Sequence, residues 1–203
     1  MTTTVVLASR NPHKIEELGR ILADAGLAID LVGVEAFPEV DEVAETGETF
    51  AANALLKARA VAEATGLPAV GDDSGLCVDA LNGMPGIFSA RWSGGGGDLA
   101  NLELLLAQLA GVPPERRAAH FVCAAAVAMP DGRTAVVEGR LDGHVITAPR
   151  GTNGFGYDPV FVPVDDPDRT TAELTDAAKD AISHRGRALR VLAPVLADLL
   201  APR

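Results

Sequence analysis

The sequence predicts an α/β fold with a mixed central β-sheet, and three observations point to it. A β-branched run, a segment with apolar residues at helical spacing and a second apolar run open the chain as a β-α-β unit. Further on, Ala118 to Met129 and Thr134 to Gly139 flank the turn Pro130-Asp131-Gly132, which reads as a hairpin in the core. The chain then closes mainly in helix.

Val5 to Ala8 reads as a buried strand. Asn11 is a good N-cap and Pro12 suits the first helical position, so a helix begins there. Ile15, Leu18, Ile21, Leu22 and Ala25 form its apolar stripe, Gly26 stops it, and Leu27 to Val34 is the next strand. Glu35 to Glu48 is an acidic loop, and a second helix spans about Thr49 to Thr65. Pro68 to Gly71 is strand-like and ends in Asp72-Asp73-Ser74-Gly75, with Gly75 to Ala80 as a return strand. Residues 82 to 98 read as loop, including the four glycines Gly94 to Gly97, and Leu99 to Leu109 as helix. After the hairpin, Gly143 to Thr147 adds a strand, Gly151 to Gly156 a loop and Val160 to Val164 another strand. The remainder is helix broken near Gly186.

Composition narrows the function. Hydrophobic residues make up 48% of 203, enough for a packed core. The formal net charge of −11 repels phosphate backbones at long range, so general nucleic-acid binding is not expected. A polyphosphate ligand would therefore need local basic groups and a divalent cation. Two cysteines without a CxxC, and four histidines without HxxxH, disfavour zinc and a disulfide framework. The opening residues lack a signal-peptide pattern, and no apolar run approaches the ~20 residues of a membrane span, so a cytoplasmic protein is expected.

Five groups could carry chemistry. Ser9-Arg10-Asn11-Pro12-His13-Lys14 lies between a strand and a helix, where free N–H groups and the helix dipole suit a phosphate. The Walker glycines are missing, and a plain capped helix would look similar. Gly71-Asp72-Asp73-Ser74-Gly75 offers two carboxylates whose side chains face opposite ways on an extended chain. One could bind Mg²⁺ or orient water while its neighbour supports the backbone, and a polar turn is the plainer reading. Glu45 could add a metal contact, and Asn53 and Lys57 share a helical face from which Lys57 could hold a phosphate. In Gly154-Phe155-Gly156-Tyr157-Asp158-Pro159, glycines let the backbone approach a flat ligand on which Phe155 could stack. Lys179 and Ser183-His184-Arg185 could donate to a carbonyl or phosphate, or simply complement the C-terminal end of a helix.

Together these blocks resemble the inosine/xanthosine triphosphate pyrophosphatase family. The resemblance runs from Val5 to about Leu192, through Ser-Arg-Asn-Pro-His-Lys, Glu-Thr-Gly…Phe…Asn-Ala…Lys-Ala, Asp-Asp-Ser-Gly, Pro-Gly…Ser-Ala-Arg, Gly-Phe-Gly-Tyr-Asp-Pro and Ser-His-Arg-Gly, in that order. Only Gly94 to Gly97 is richer in glycine than the family pattern. The resemblance implies one elongated, two-lobed α/β domain over residues 1–203, with helices flanking the sheet and the active site in the cleft between lobes. It also implies a homodimer that needs one or more Mg²⁺ per subunit. Carried over, Ser9 to Lys14 hold the triphosphate of a purine nucleotide and Lys57 assists. Asp73 is the general base and shares Mg²⁺ with Glu45, while Ser74 contacts substrate. Phe155, Gly156, Tyr157, Asp158, Lys179, His184 and Arg185 form the base pocket.

The implied reaction is hydrolysis of a deaminated purine nucleoside triphosphate (ITP, dITP, XTP) to the monophosphate and pyrophosphate. Donors aimed at the purine O6 would be left facing an amine by adenine, a mismatch worth on the order of 10⁴ in discrimination. Two other readings share the residues: a Maf-like pyrophosphatase for pyrimidine or modified nucleotides, and a non-catalytic nucleotide-binding module. Neither nucleic acid nor membrane is an expected partner.

Overall fold

The computed structural model describes residues 3–201. Strand β1 (Thr3–Leu7), helix α1 (Pro12–Asp24) and strand β2 (Ile29–Gly33) form the opening β-α-β unit. Helix α2 (Phe50–Thr65) leads into β3 (Ala69–Val78), a short β4 (Met84–Pro85) and α3 (Gly97–Gln108). Then come β5 (Ala118–Ala128), β6 (Thr134–Val145), β7 (Phe161–Pro163), α4 (Asp176–Ile182) and α5 (His184–Leu200). The strand order is β2-β1-β3-β5-β6-β7, with β4 on β3. β1 runs parallel to β2 and β3, whereas β3–β4 and β6–β7 are antiparallel, so the sheet is mixed as the sequence predicts.

Packing divides the chain into two compact units, and β3, β5 and β6 contribute to both. The first holds the residues up to Asp73, Cys123–Gly139 and those from Arg185 onward. Strand alternation gives it two cores. Val5 and Leu7 of β1, with Cys123, Ala125 and Val127 of β5, meet Leu18 and Leu22 of α1 and Leu192 and Leu196 of α5. Val6, Ala124, Ala126 and Ala128 point the other way, onto Ala54, Ala58, Val61 and Ala62 of α2. The second unit comprises Ser74–Val122 and Arg140–His184. Its core packs Leu102, Leu105 and Leu109 against Leu76, Phe121, Leu141 and Phe161. Among the described residues no helix is long and apolar enough to cross a membrane.

Several sequence expectations need correction. Asp72-Asp73-Ser74-Gly75 does not turn: it lies inside the continuous ten-residue strand β3. Turn propensity loses there because β3 is buried along almost its whole length, with β5 as a sheet neighbour and β4 opposite Cys77 and Val78. Gly143 to Thr147 is not a separate strand; β6 runs on past Gly139 because β7 pairs with Gly143, His144 and Val145. Residues 82 to 98 include β4 and the 3₁₀ segment Gly86–Arg91. The last helical region breaks at Ser183, whose backbone is extended (φ −60°, ψ 151°), while Gly186 sits inside α5. His184 and Arg185 therefore open a helix instead of closing one, and a role as C-terminal dipole partners is withdrawn.

One close approach fixes the first unit. A Cβ on Gly71 would lie 2.5 Å from the Ala54 carbonyl oxygen and 2.8 Å from the Ala58 amide nitrogen. Gly71→Ala is therefore expected to cost about 1–3 kcal/mol through overpacking. Circular dichroism melting should show a midpoint several degrees lower (roughly 2–4 °C per kcal/mol for this size). A midpoint unchanged from wild type would remove this contact as a constraint.

Candidate active site

The first unit gathers two charged groups around neighbouring residues of β3. Lys14, in the first turn of α1, places Nζ 2.7 Å from Asp72 Oδ2. Arg185, at the start of α5, directs Nε to the same oxygen at 3.3 Å and Nη1 to Glu17 Oε2 at 3.3 Å. Asp72, Glu17 and Arg185 are all buried. Burial alone would raise the Asp72 pKa, but the Lys14 and Arg185 charges outweigh it and hold the carboxyl well below the usual range. Burial likewise disfavours the Arg185 charge, but the negative charges around it, Asp72 foremost and Glu17 with it, together outweigh burial, so its pKa stands above the ordinary value.

The second group forms on α2. Thr49 caps that helix, its Oγ1 accepting the Ala52 amide at 3.1 Å. Asn53, fully buried, accepts the Gly47 amide on Oδ1 at 2.7 Å and donates Nδ2 to Asp73 Oδ2 at 2.9 Å. One turn later Lys57 places Nζ 2.7 Å from Glu45 Oε1 and 3.9 Å from Asp73 Oδ1. Burial raises the Asp73 pKa, the Lys57 charge and the Asn53 hydrogen bond pull it back, and the Glu45 and Asp72 charges push it up again. The net direction is upward, opposite to Asp72.

The remaining first-unit residues stand close in sequence. Ser9 Oγ accepts the Asn11 amide at 3.2 Å, and Arg10 Nη2 donates to the Val40 carbonyl at 3.0 Å. Pro12 and His13 open α1; their side chains lie outside the described part of the structure.

In the second unit Ser74 is half-buried on β3. The segment from Gly154 to Asp158 folds around the Asp158 carboxylate, which is buried. Its Oδ2 accepts the Phe155 amide at 2.8 Å and pairs with Lys179 Nζ, and its Oδ1 accepts Thr171 Oγ1 at 2.8 Å. Gly154 has φ +76°, and a Cβ there would lie 2.2 Å from Asp158 Oδ2, so glycine is required on both counts. Lys179 Nζ stands 5.1 Å from the centroid of the Phe155 ring, which is 50% exposed. Tyr157 is turned inward, donating its hydroxyl to the Ser89 carbonyl at 2.9 Å, and burial raises its pKa. His184 stacks on Phe121 with centroids 4.8 Å apart and an 11° angle between planes.

The structure thus brings Glu45, Lys57 and Asp73 together, Lys14 and Arg185 together on Asp72, and Phe155, Asp158 and Lys179 together. Asn53 was singled out in the sequence only for sharing a face with Lys57; its amide is the direct partner of Asp73. Glu17 and Asp98 went unmarked. Glu17 gave a faint signal, a carboxylate within the apolar stripe of α1. Asp98, which accepts the Gly156 amide at 2.9 Å, gave none beyond standing at a helix start.

The model of the Ham1 family matches residues 5–195, and the chain belongs to that family. It is 63% identical over 199 residues to a protein of Streptomyces coelicolor named dITP/XTP pyrophosphatase, covering 98% of this chain and 99% of that one. A Frankia alni protein of the same name is 60% identical over 202 residues, covering 97% and 98%. Among solved structures, a HAM1 protein from Coxiella burnetii superposes with a TM-score of 0.88 at 42% identity, over 97% of this chain and all (100%) of that one. The nucleoside-triphosphatase / dITP/XTP pyrophosphatase of Mycobacterium abscessus gives 0.78 at 55% identity, over 96% and 100%.

The depressed Asp72 pKa has a consequence for stability. Its ionised form stabilises the fold fully above the unfolded carboxyl value of about 4, and that contribution is lost as pH falls through and below it. Asp72→Asn, which removes one partner of a buried ion pair, should cost about 3–5 kcal/mol at pH 7. Melting temperatures at pH 7, 5 and 3 should show the gap to wild type shrinking at the acid end. A gap that stays constant would mean that the Asp72 pKa is not lowered by folding.

Proposed function

We propose that this chain hydrolyses deaminated purine nucleoside triphosphates, dITP and XTP among them, to the nucleoside monophosphate and pyrophosphate. The observation that carries the reading is Asp73: a buried carboxylate with a raised pKa, oriented by Asn53 and set beside Lys57 and Glu45. The name its relatives carry supports the same substrates.

In this reading Asp73 is the general base. It takes a proton from a water whose oxygen forms a bond to the α-phosphorus. The bond from that phosphorus to the α–β bridging oxygen breaks, and its electron pair leaves with pyrophosphate. Ser9, Arg10, Asn11, Pro12, His13 and Lys14 hold the phosphate chain at the start of α1, where the helix dipole favours an anion. Asp72 keeps Lys14 directed, and Lys57 binds a phosphate oxygen. Ser74 contacts substrate.

The donor set suits Mg²⁺. Among the described residues no three His, Cys, Asp or Glu side chains form a ready cage. Mg²⁺ usually takes only one or two carboxylates and completes its shell with substrate phosphates and water. Glu45 and Asp73 would hold it, with Lys57 between them as the positive charge already drawn to both. When bound, Mg²⁺ supplies neutralisation of phosphate charge.

The base falls to the second unit and to the start of α5. Phe155 stacks on the purine, with Gly156 and Tyr157 shaping the loop and Asp158 orienting Lys179. Lys179, His184 and Arg185 supply the donors toward the purine 6-oxo group. The 6-amine of adenine would leave such a donor unpaired, which is the basis of selection. The same reading takes the protein to be a cytoplasmic homodimer.

The test is pyrophosphate release from dITP, XTP, ATP, GTP and dTTP with and without Mg²⁺. Mg²⁺-dependent release confined to dITP and XTP is expected; preference for dTTP would move the chain to the pyrimidine reading. Asp73→Asn should lower kcat by on the order of 10²–10⁴ while nucleotide still binds. Near-wild-type turnover in that variant would remove Asp73 as the base. Phe155→Ala should raise KM for dITP by roughly tenfold, the scale of one lost stacking contact, and an unchanged KM would end its stacking role.

A further inference from the structure

The glycine run Gly94 to Gly97 has no part in the reaction as proposed, yet it is anchored from within the second unit. Asn101 of α3 is 1% exposed. Its Oδ1 accepts both the amide and the hydroxyl of Ser93 at 2.7 Å, and its Nδ2 donates to the Ala90 carbonyl at 3.1 Å. Ser93 Oγ in turn accepts the Gly96 amide at 3.2 Å, and the Gly94 amide returns to the Arg91 carbonyl at 2.9 Å. A buried asparagine thus fixes the residues that lead into the segment, and through the Ser93 hydroxyl it restrains Gly96, in a stretch that has little conformational preference of its own. Gly97, at φ +82°, turns the chain into α3, and the next residue is Asp98.

Asp98 Oδ2 accepts the Gly156 amide at 2.9 Å, and one residue earlier the Phe155 amide goes to Asp158 Oδ2 at 2.8 Å. Two consecutive amides therefore end on two carboxylates from different elements, with Phe155 between them. The direction of a half-exposed ring depends on such backbone restraints. Hydrogen bonds from amide to carboxylate are among the stronger ones available to a surface loop.

We infer that Asp98 is a positioning residue for base recognition: carried by the Asn101-anchored glycine segment, it holds the Gly156 amide so that Phe155 is presented to the purine. The inference rests on the proposed function, in which Phe155 receives the base. A role limited to the dipole of α3 would require a negative charge at this position, whereas the positioning role requires only an oxygen acceptor in place.

That difference defines the experiment. Steady-state kinetics with dITP, and competition by inorganic pyrophosphate, are measured for wild type, Asp98→Ala and Asp98→Asn. Asp98→Ala should raise KM for dITP roughly three- to tenfold, the scale of one hydrogen bond. Its kcat should stay within about twofold, as for loss of uniform binding. The pyrophosphate inhibition constant should not move, because pyrophosphate carries no base. Asp98→Asn, which keeps an oxygen acceptor, should restore most of the KM. An unchanged KM in Asp98→Ala overturns the inference, and so does an equal loss of pyrophosphate affinity or an Asp98→Asn variant as weak as the alanine. Absence of dITP turnover in the wild-type arm overturns instead the function on which it rests.

Discussion

The surroundings of Asp73 depend on how closely helix α2 can lie on strand β3. At Gly71 there is no side chain to hold them apart, and the facing positions Ala54 and Ala58 are small. Asn53 and Lys57, four residues apart on α2, then reach the side chain two residues beyond Gly71. A larger residue at 71 would push the helix outward and lengthen every contact to Asp73 together. The alanines of β5 on the same side, Ala124, Ala126 and Ala128, follow the same logic. Small side chains bury little apolar area, so this face gives up hydrophobic stabilisation for proximity. The opposite face, with Leu18, Leu22, Leu192 and Leu196, supplies the larger side chains that offset it.

Adjacent aspartates on one strand end in opposite electrostatic states. Pleating turns their side chains to different sides, where they meet different partners. Asp72 has two cations on one oxygen, so a metal ion there would compete with fixed positive charge. Asp73 has the Asn53 amide as a donor and, at 3.9 Å, Lys57, which is shared with Glu45. Lysine is a point charge on a flexible stem, so on the proposed function Lys57 could turn from these carboxylates toward a phosphate. Neighbouring carboxyl groups whose pKa values are driven apart divide naturally into an anchor and a reactive group.

Much of this was legible in the sequence, and the failures have physical causes. Helical spacing located α1 and α2 within a residue or two, and for α1 Asn11 and Pro12 added a local start signal. The hairpin was legible for the same reason. The course of β3 was not. Asp, Ser and Gly favour turns locally, and only the neighbouring strands hold residues 72–75 extended. The break at Ser183 was misplaced to Gly186 because a helix tolerates one glycine when its apolar face packs. Within the site, the charged residues announced themselves by type. The partners that orient them (Asn53, Glu17, Thr171, Asp98) are set by tertiary contact, and spacing along one chain carries almost no trace of that.

Selectivity places a further demand on the proposed function. Every nucleoside triphosphate presents the same phosphate chain, so groups that bind it, as Lys14, Lys57 and Asp73 are proposed to do, would add affinity and rate but could not distinguish bases. On the proposed function, discrimination would fall to Phe155, Lys179, His184 and Arg185, and it requires donors that cannot rearrange to suit an amine. Lys179 alone would be a poor instrument, since a free ammonium on four methylenes adapts to any acceptor nearby. Its tether to the buried Asp158, which Thr171 holds from the other oxygen, removes that freedom. The Phe155 amide on the same carboxylate ties the stacking ring to the same anchor. Ring and donor are thereby fixed relative to each other before any ligand arrives. On the proposed function a 6-oxo purine would meet a donor already in place, whereas a 6-amino purine would have to break the Asp158 contact or leave its amine facing a cation.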